Sequence, residues 1–198
     1  PSNKARLGLF APKFLRRYNK MSNFVYMAIM SDPNISEEQR KQEKAYKAYV
    51  DEHVANVRKA WDKMKSNKEV IKYLETIYTG VSFLKSEVES QIISHDTSKY
   101  GIEEWEAYRK NFNPVDEQEK EDNLRDFDKA WEHHYNHNMH HWDWWAKSGN
   151  KDIMPVNFIV EMCCDWIAMS MKFGGDAYHW YLKQDDIVLG EQQKEWTI

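Results

Sequence analysis

Residues 46–64, Tyr-Lys-Ala-Tyr-Val-Asp-Glu-His-Val-Ala-Asn-Val-Arg-Lys-Ala-Trp-Asp-Lys-Met, carry the pattern from which the fold follows. Tyr46, Tyr49, Val50, His53, Val57, Ala60, Trp61 and Met64 recur at spacings of three and four, the repeat of one helix face. Upstream, Ser36-Glu-Glu-Gln39 has the form of a capping box, which places the start of this helix just after Ser36 and lets it run to about Ser66. The stripe is apolar or aromatic except for His53, a polar group on a core-facing side.

The same reading extends along the chain. A second helical stretch covers about Lys68 to His95, bent near Gly80, with Leu84, Val88, Ile92 and His95 on one face. A short helix follows from about Ile102 to Phe112, ended by Asn113-Pro114. Asp116–Glu121 reads as a charged, solvated connection. Another helix is expected from about Asp122 toward Trp145, closed by Ser148-Gly149-Asn150. Pro155 suits the first position of the next, which stops at Gly174-Gly175. One or two short helices are expected after Asp176. With only seven Gly and five Pro and little β-branched alternation, strands are not expected. The prediction is all-α, a single-domain helical bundle over residues 36–198 behind an arm at 1–35.

Composition limits the classes open to this chain. At 198 residues it can bury one good core or two small ones, and nine Trp and eleven Tyr must dominate it. A net charge of −4 with 30% charged residues is that of an ordinary soluble protein and not of a disordered one. The longest apolar run, Phe24 to Met30, is far short of the roughly 20 residues of a membrane span, and no secretory signal is read. The adjacent Cys163 and Cys164 cannot build an ordinary disulfide framework, which suggests a reducing, cytoplasmic setting. Residues 1–31 hold Lys4, Arg6, Lys13, Arg16, Arg17 and Lys20 and no acid. Such an arm suits nucleic acid, an anionic surface or an acidic neighbour, including another copy of the chain, or it packs on its own acidic domain.

The residues that point to chemistry are polar, metal-competent groups on apolar faces. His53 is one, with a satisfied core histidine as the competing reading. His95 ends the stripe of the second helical stretch and Asp96 follows it. Asp165 shares a face with Phe158, Met162 and Met169, where a carboxylate is costly unless a cation or several donors offset the lost water. The competing reading is a buried carboxylate bonded to a Trp or a Lys.

The run from Trp131 to Trp142 contains five histidines in nine residues. A continuous helix from Leu124 and Phe127 turns Trp131, His134, Asn138, His141 and Trp145 inward and leaves His133, His137 and His140 on a neighbouring stripe. A break at Asn136 or Asn138 would instead turn His133 or His140 inward, and a His-rich surface patch is the alternative to both. Imidazole and carboxylate donors together suit one or two ions of Mn, Fe, Zn, Ni or Co better than Ca. Asp96 has the oxygens to bridge two ions, with histidines among His133, His134, His140 and His141 completing a second site. Lys99 is placed to meet an anionic oxygen of a substrate, or is a surface lysine at a helix start.

The order His53, His95-Asp96, His, Asp165 resembles the His-Asp (HD) phosphohydrolase superfamily, helical bundles that bind divalent metals and mostly hydrolyse nucleotide phosphate esters. His95-Asp-Thr-Ser-Lys99 is similar to one variant of its central motif. More closely, the chain resembles an uncharacterised bacterial and phage family, domain of unknown function 5662. The likeness is carried by His53-Val-Ala-Asn-Val57 with Ala60-Trp61, His95 to Lys99, Glu103-Glu104, Tyr108-Arg109, Ala130-Trp131-x-His133-His134, Asn138-x-His140-His141, Trp145 and Glu161-Met162-x-x-Asp165-Trp166.

The resemblance implies a metal-dependent phosphohydrolase acting on a small phosphorylated substrate, a nucleotide or one derived from it. His53, His95, Asp96 and Asp165 would hold a first metal, and His134 and His141, or His133 and His140, a second metal or the phosphate. Lys99 and a protonated histidine would neutralise phosphate oxygens. Two other readings remain open: an HD-type di-iron oxygenase, and a non-enzymatic interaction protein with a structural metal.

Overall fold

The computed structural model of the chain describes residues 24–197. Eleven α-helices and two 3-10 turns make up these residues, with no strand among them, so the fold is all-α. No helix among them is long and apolar enough to cross a membrane. The bases of the predicted arm lie outside the described residues, while Phe24–Met30 forms a first helix, α1. The described chain divides into two compact units, residues 24–48 with 97–131 and residues 49–96 with 132–197.

The capping box performs as expected. Ser36 Oγ accepts from the Gln39 N–H at 3.0 Å, and α2 runs Glu37–Ser66. The following stretch is two helices, α3 (Lys68–Ile77) and α4 (Val81–Ser94). Asn67 caps α3, accepting from Glu69 N and Val70 N. Gly80 separates the pair at φ 95°, a left-handed conformation open to glycine at little cost.

In the first unit the core is aromatic and one ion-pair network threads it. Trp105 opens α5 (Trp105–Phe112) fully buried, with Tyr46 edge-on at 4.9 Å and its indole N–H donating to Glu43 Oε2 at 2.7 Å. Arg109, one turn on and also buried, donates bidentately to Glu119 at 2.6 and 2.8 Å and sets its Nε 3.1 Å from Glu43 Oε1. Glu119 is in α6 (Glu117–Asp122), a helix where a solvated connection was expected. Asp116 caps it by accepting from Glu119 N at 2.8 Å, and the Arg109 pair anchors it, which an unpartnered run of acids could not do for itself.

The second unit holds an apolar core where Val57, Ala60 and Trp61 of α2 meet Leu84, Val88 and Ile92 of α4 and Val160, Cys164 and Ala168 of α9 (Val156–Phe173). Pro155 sits one position before α9, and Gly174 ends it at φ 80°. The helix expected to run from Asp122 to Trp145 is interrupted: α7 is Leu124–His137 and α8 is Trp142–Lys147. The break is held from within. Asn138 Nδ2 donates to the His134 carbonyl at 2.8 Å, and the Trp145 indole donates to the Met139 carbonyl at 2.7 Å. Two short helices, α10 (Ala177–Tyr181) and α11 (Glu191–Thr197), finish the unit, as expected after Asp176.

Candidate metal centre

Four segments of the second unit converge on one polar cluster inside the apolar surroundings. From α2 comes His53, and from the end of α4 come His95 and Asp96. The α7–α8 region supplies His134, His140 and His141, and α9 supplies Glu161 and Asp165. Two consecutive side chains, His95 and Asp96, reach the same cluster because the backbone reverses between them. Asp96 adopts φ 56°, the one left-handed non-glycine residue among those described. Such a conformation is disfavoured for a residue with a Cβ, though Asp tolerates it better than most, and residues held in it concentrate at functional sites.

The donor atoms form two sets that share their carboxylates. In the first, His53 Nε2 lies 3.4 Å from His95 Nε2, 3.1 Å from Asp96 Oδ2 and 3.2 Å from Asp165 Oδ1. In the second, Asp96 Oδ1 lies 3.3 Å from His134 Nε2 and 3.8 Å from His140 Nε2, and His141 Nε2 is 2.9 Å from His134 Nε2. Asp165 reaches both sets, since its Oδ2 is 3.8 Å from His140 Nε2. The ligand atoms of His53, His95 and Asp165, and those of Asp96, His134, His140 and His141, lie within 4.8 Å of one another, so these His and Asp groups could hold a metal ion. Ligands on a tetrahedral ion at about 2.1 Å stand roughly 3.4 Å apart, close to the separations found here.

His140 provides a direct test of whether a cation fits. Its Nδ1 is 3.3 Å from Glu161 Oε1, so the ring hydrogen belongs on Nδ1 and the Nε2 lone pair points the other way. That Nε2 is buried with no hydrogen-bond partner among the described residues, facing carboxylate oxygens of Asp96 and Asp165 at 3.8 Å. A lone pair opposed to anionic oxygens, shut away from water, is unfavourable unless a metal cation or a proton lies between them. The residues fit the ion.

Glu161 is buried one turn before Asp165, and its Oε1 accepts from His95 Nδ1 at 3.0 Å and lies 3.3 Å from His140 Nδ1. Burial pushes its carboxyl up, but the His140 and His95 rings against it outweigh that and bring it down to about 2. Burial likewise acts to raise Asp165, and the hydrogen bond of His53, with the His95 and His140 rings close by, carries it well below the carboxylate range. His141 is driven the other way. Burial, the largest cause, lowers it and keeps the ring neutral with a lone pair to offer.

His134 presents a hydrogen instead. Asn138 Nδ2, already donating to the His134 carbonyl, lies 3.1 Å from His134 Nδ1. An amide nitrogen can only donate, so Nδ1 accepts and the neutral ring carries its hydrogen on Nε2. That group is suited to donating into the second set.

The structure thus gathers His53, His95, Asp96, Asp165, His134, His140 and His141. It does not gather His133, whose ring stacks on His137 at 4.0 Å. Because the helix breaks after His137, the pair turned inward beside His134 is His140 and His141, a combination neither single phase of a continuous helix allows. Lys99 falls in the first unit, on the Thr97–Tyr100 turn, with its ammonium 5.8 Å from the Tyr108 ring centre. Both cysteines are free thiols. Burial pushes Cys163 up to about 12 and Cys164 well above its ordinary value, so neither offers a thiolate. Glu161 is the residue the sequence reading missed. It lies four positions before Asp165, on the same helix face, which is the signal that could have found it.

No curated protein and no solved structure matches the chain. A family model does, over residues 42–197, a span that takes in every member of the cluster. The chain belongs to that family, the family of unknown function DUF5662.

Proposed function

We propose that this protein is a metal-dependent phosphohydrolase acting on a nucleotide or a phosphate ester derived from one. The observation that carries the reading is the pair of donor sets joined through Asp96 and Asp165, each carboxylate offering one oxygen to either side. Paired ions a few ångströms apart are a recurrent device for phosphate-ester hydrolysis. His53 and His95 would hold one ion with Asp96 Oδ2 and Asp165 Oδ1, and His140 and His141 the other with Asp96 Oδ1 and Asp165 Oδ2. Ions of Mn, Fe, Zn, Ni or Co bound there would supply Lewis acidity toward water and a phosphoryl oxygen.

The chain's own residues contribute orientation and charge. Glu161 and Asn138 fix which ring nitrogens carry hydrogen. His134 Nε2–H is placed to donate to a phosphoryl oxygen as charge builds on it. The burial of His53, His95, Asp96, His134 and His140 limits water, which strengthens each of these interactions.

Elemental analysis of the full chain beside Asp96→Ala and Asp165→Ala, followed by a phosphate-release screen over nucleotides, tests the reading. Loss of metal in both variants and release of phosphate by the wild type alone are expected. Metal kept at full stoichiometry in both variants would sink the site. Iron-dependent colour that responds to oxygen, with no phosphate released from any nucleotide, would replace hydrolysis by oxidation.

A further inference from the structure

One oxygen atom of Glu161 serves two histidines that belong to different donor sets. His95 presents Nδ1 to Glu161 Oε1 at 3.0 Å, and on its far side Nε2 faces His53 at 3.4 Å and Asp96 Oδ2 at 3.6 Å. His140 presents Nδ1 to the same Oε1 at 3.3 Å, and its Nε2 faces Asp96 Oδ1 and Asp165 Oδ2. The two rings lie against each other, centres 4.4 Å apart and planes 32° apart. A single carboxylate oxygen has two lone pairs and can accept from both rings at once.

We infer that Glu161 is a positioning residue that clamps His95 and His140 together as Nδ1–H tautomers and thereby couples the two halves of the metal centre. A neutral imidazole has one hydrogen, and a buried carboxylate accepting at Nδ1 holds it there, so Nε2 carries a lone pair in both rings. Each lone pair is then aimed into its own set, because the ring is rigid and the two nitrogens lie on opposite edges. And since both Nδ1 atoms face one oxygen, neither ring can turn without altering the acceptor of the other. Glu161 could in principle take an ion itself, with His95 and His140 as co-ligands. That would require Nδ1 lone pairs facing Glu161, leaving both Nε2–H groups directed at the inner cluster. The unpartnered Nε2 of His140 opposes this, because an N–H there would find carboxylate oxygens only at 3.8 Å.

The Nδ1–H assignment stands without any ion, because Nδ1 keeps its hydrogen whether Nε2 faces a metal or takes a proton, while the coupling rests on the metal-centre reading above. Both are tested on the full chain with two readouts. The first is a long-range proton–nitrogen NMR correlation of the histidine rings in metal-free protein. The second is titration with zinc or cobalt(II) alone, followed by calorimetry and by the cobalt absorption bands. Wild type is expected to show His95 and His140 as Nδ1–H and to bind two ions. Glu161→Leu should release both rings into mixed tautomers and weaken both ions together, by about 10- to 100-fold.

Glu161→Gln, which keeps an oxygen acceptor and the residue's shape, should retain the tautomers, remain folded and still weaken both ions by about tenfold. His53→Ala should lose one ion and leave both tautomers unchanged. Tautomers that stay fixed in Glu161→Leu, or only one ring responding, would overturn the clamp. Loss of one ion alone in either Glu161 variant would overturn the coupling. A wild type that binds no ion but shows the expected tautomers and their release would sink the metal centre and its coupling and leave the clamp standing.

Discussion

Asp96 places its Oδ2 3.1 Å from the Nε2 of His53, and it does so from a backbone held at φ 56°. The carboxylate that joins the two donor sets is therefore also the residue with the least comfortable backbone. Removing the carboxylate while varying the backbone tolerance separates the two contributions. Metal-free Asp96→Gly should be more stable than metal-free Asp96→Ala by about 1 kcal/mol, because both lose the side chain's contacts and only glycine suits φ 56°. Thermal or urea melts of the two variants measure it, and equal stability would mean the turn relaxes when the carboxylate is gone.

Among the clustered histidines, position along the run does not predict role. His140→Ala should lower bound metal and with it any phosphate release, whereas His133→Ala, seven residues earlier, should leave both within about twofold. His133 stacks on His137 and its loss removes no donor from either set. Elemental analysis of the two variants side by side decides the matter, and metal loss in His133→Ala would mean the break after His137 is misplaced.

Acid sensitivity should report on the first unit through Glu119. Burial acts to raise its carboxyl, and the Arg109 guanidinium with the Val115 N–H outweigh burial and lower it. A carboxyl lowered in the folded state stabilises fully above its unfolded value, about 4.3, and loses that contribution as pH falls through the folded value. Glu119→Gln should cost about 2 kcal/mol at pH 7 by leaving buried Arg109 with a neutral partner. The gap from wild type should narrow below pH 4. Glu43 works in the opposite sense. Its burial outweighs Trp105 and Arg109, so its carboxyl is raised and its protonation on acidification favours the folded state. Melts of wild type and Glu119→Gln from pH 3 to 7 read the difference, and a gap independent of pH would exclude this pair as the titrating element.

Gly190 marks a close approach in the second unit. A Cβ there would stand 2.5 Å from Asp152 Oδ1 and 2.8 Å from Asp152 Cα, and backbone cannot move aside as a side chain can. Gly190→Ala is expected to cost about 1–3 kcal/mol, seen as a lower Tm with little change in metal content, because residue 190 is not part of either donor set. An unchanged Tm would mean that the 151–153 turn shifts freely.

Much of this protein is written in local order. The capping box at Ser36, the stripe from Tyr46 to Met64, Gly80 and the Gly174-Gly175 stop each act within a turn or two of the chain, and the helices begin and end where those signals stand. Asp165 could be singled out for the same reason, since a carboxylate on an apolar stripe is anomalous whatever surrounds it. Local order failed where partners far along the chain decide. The acidic stretch Glu117–Asp122 is helical because Arg109 and the Asp116 cap hold it, and its own composition says only that it is solvated.

The histidine run shows the boundary most clearly. The sequence by itself determined that the run supplies several imidazoles beside a carboxylate pair. Which imidazoles face inward depended on a break after His137 that Asn138 and Trp145 secure through backbone carbonyls, and no periodicity contains that information. The single oxygen of Glu161 that faces both His95 and His140 likewise exists only once the helices have packed, because it is a relation between atoms that the chain brings together from distant positions.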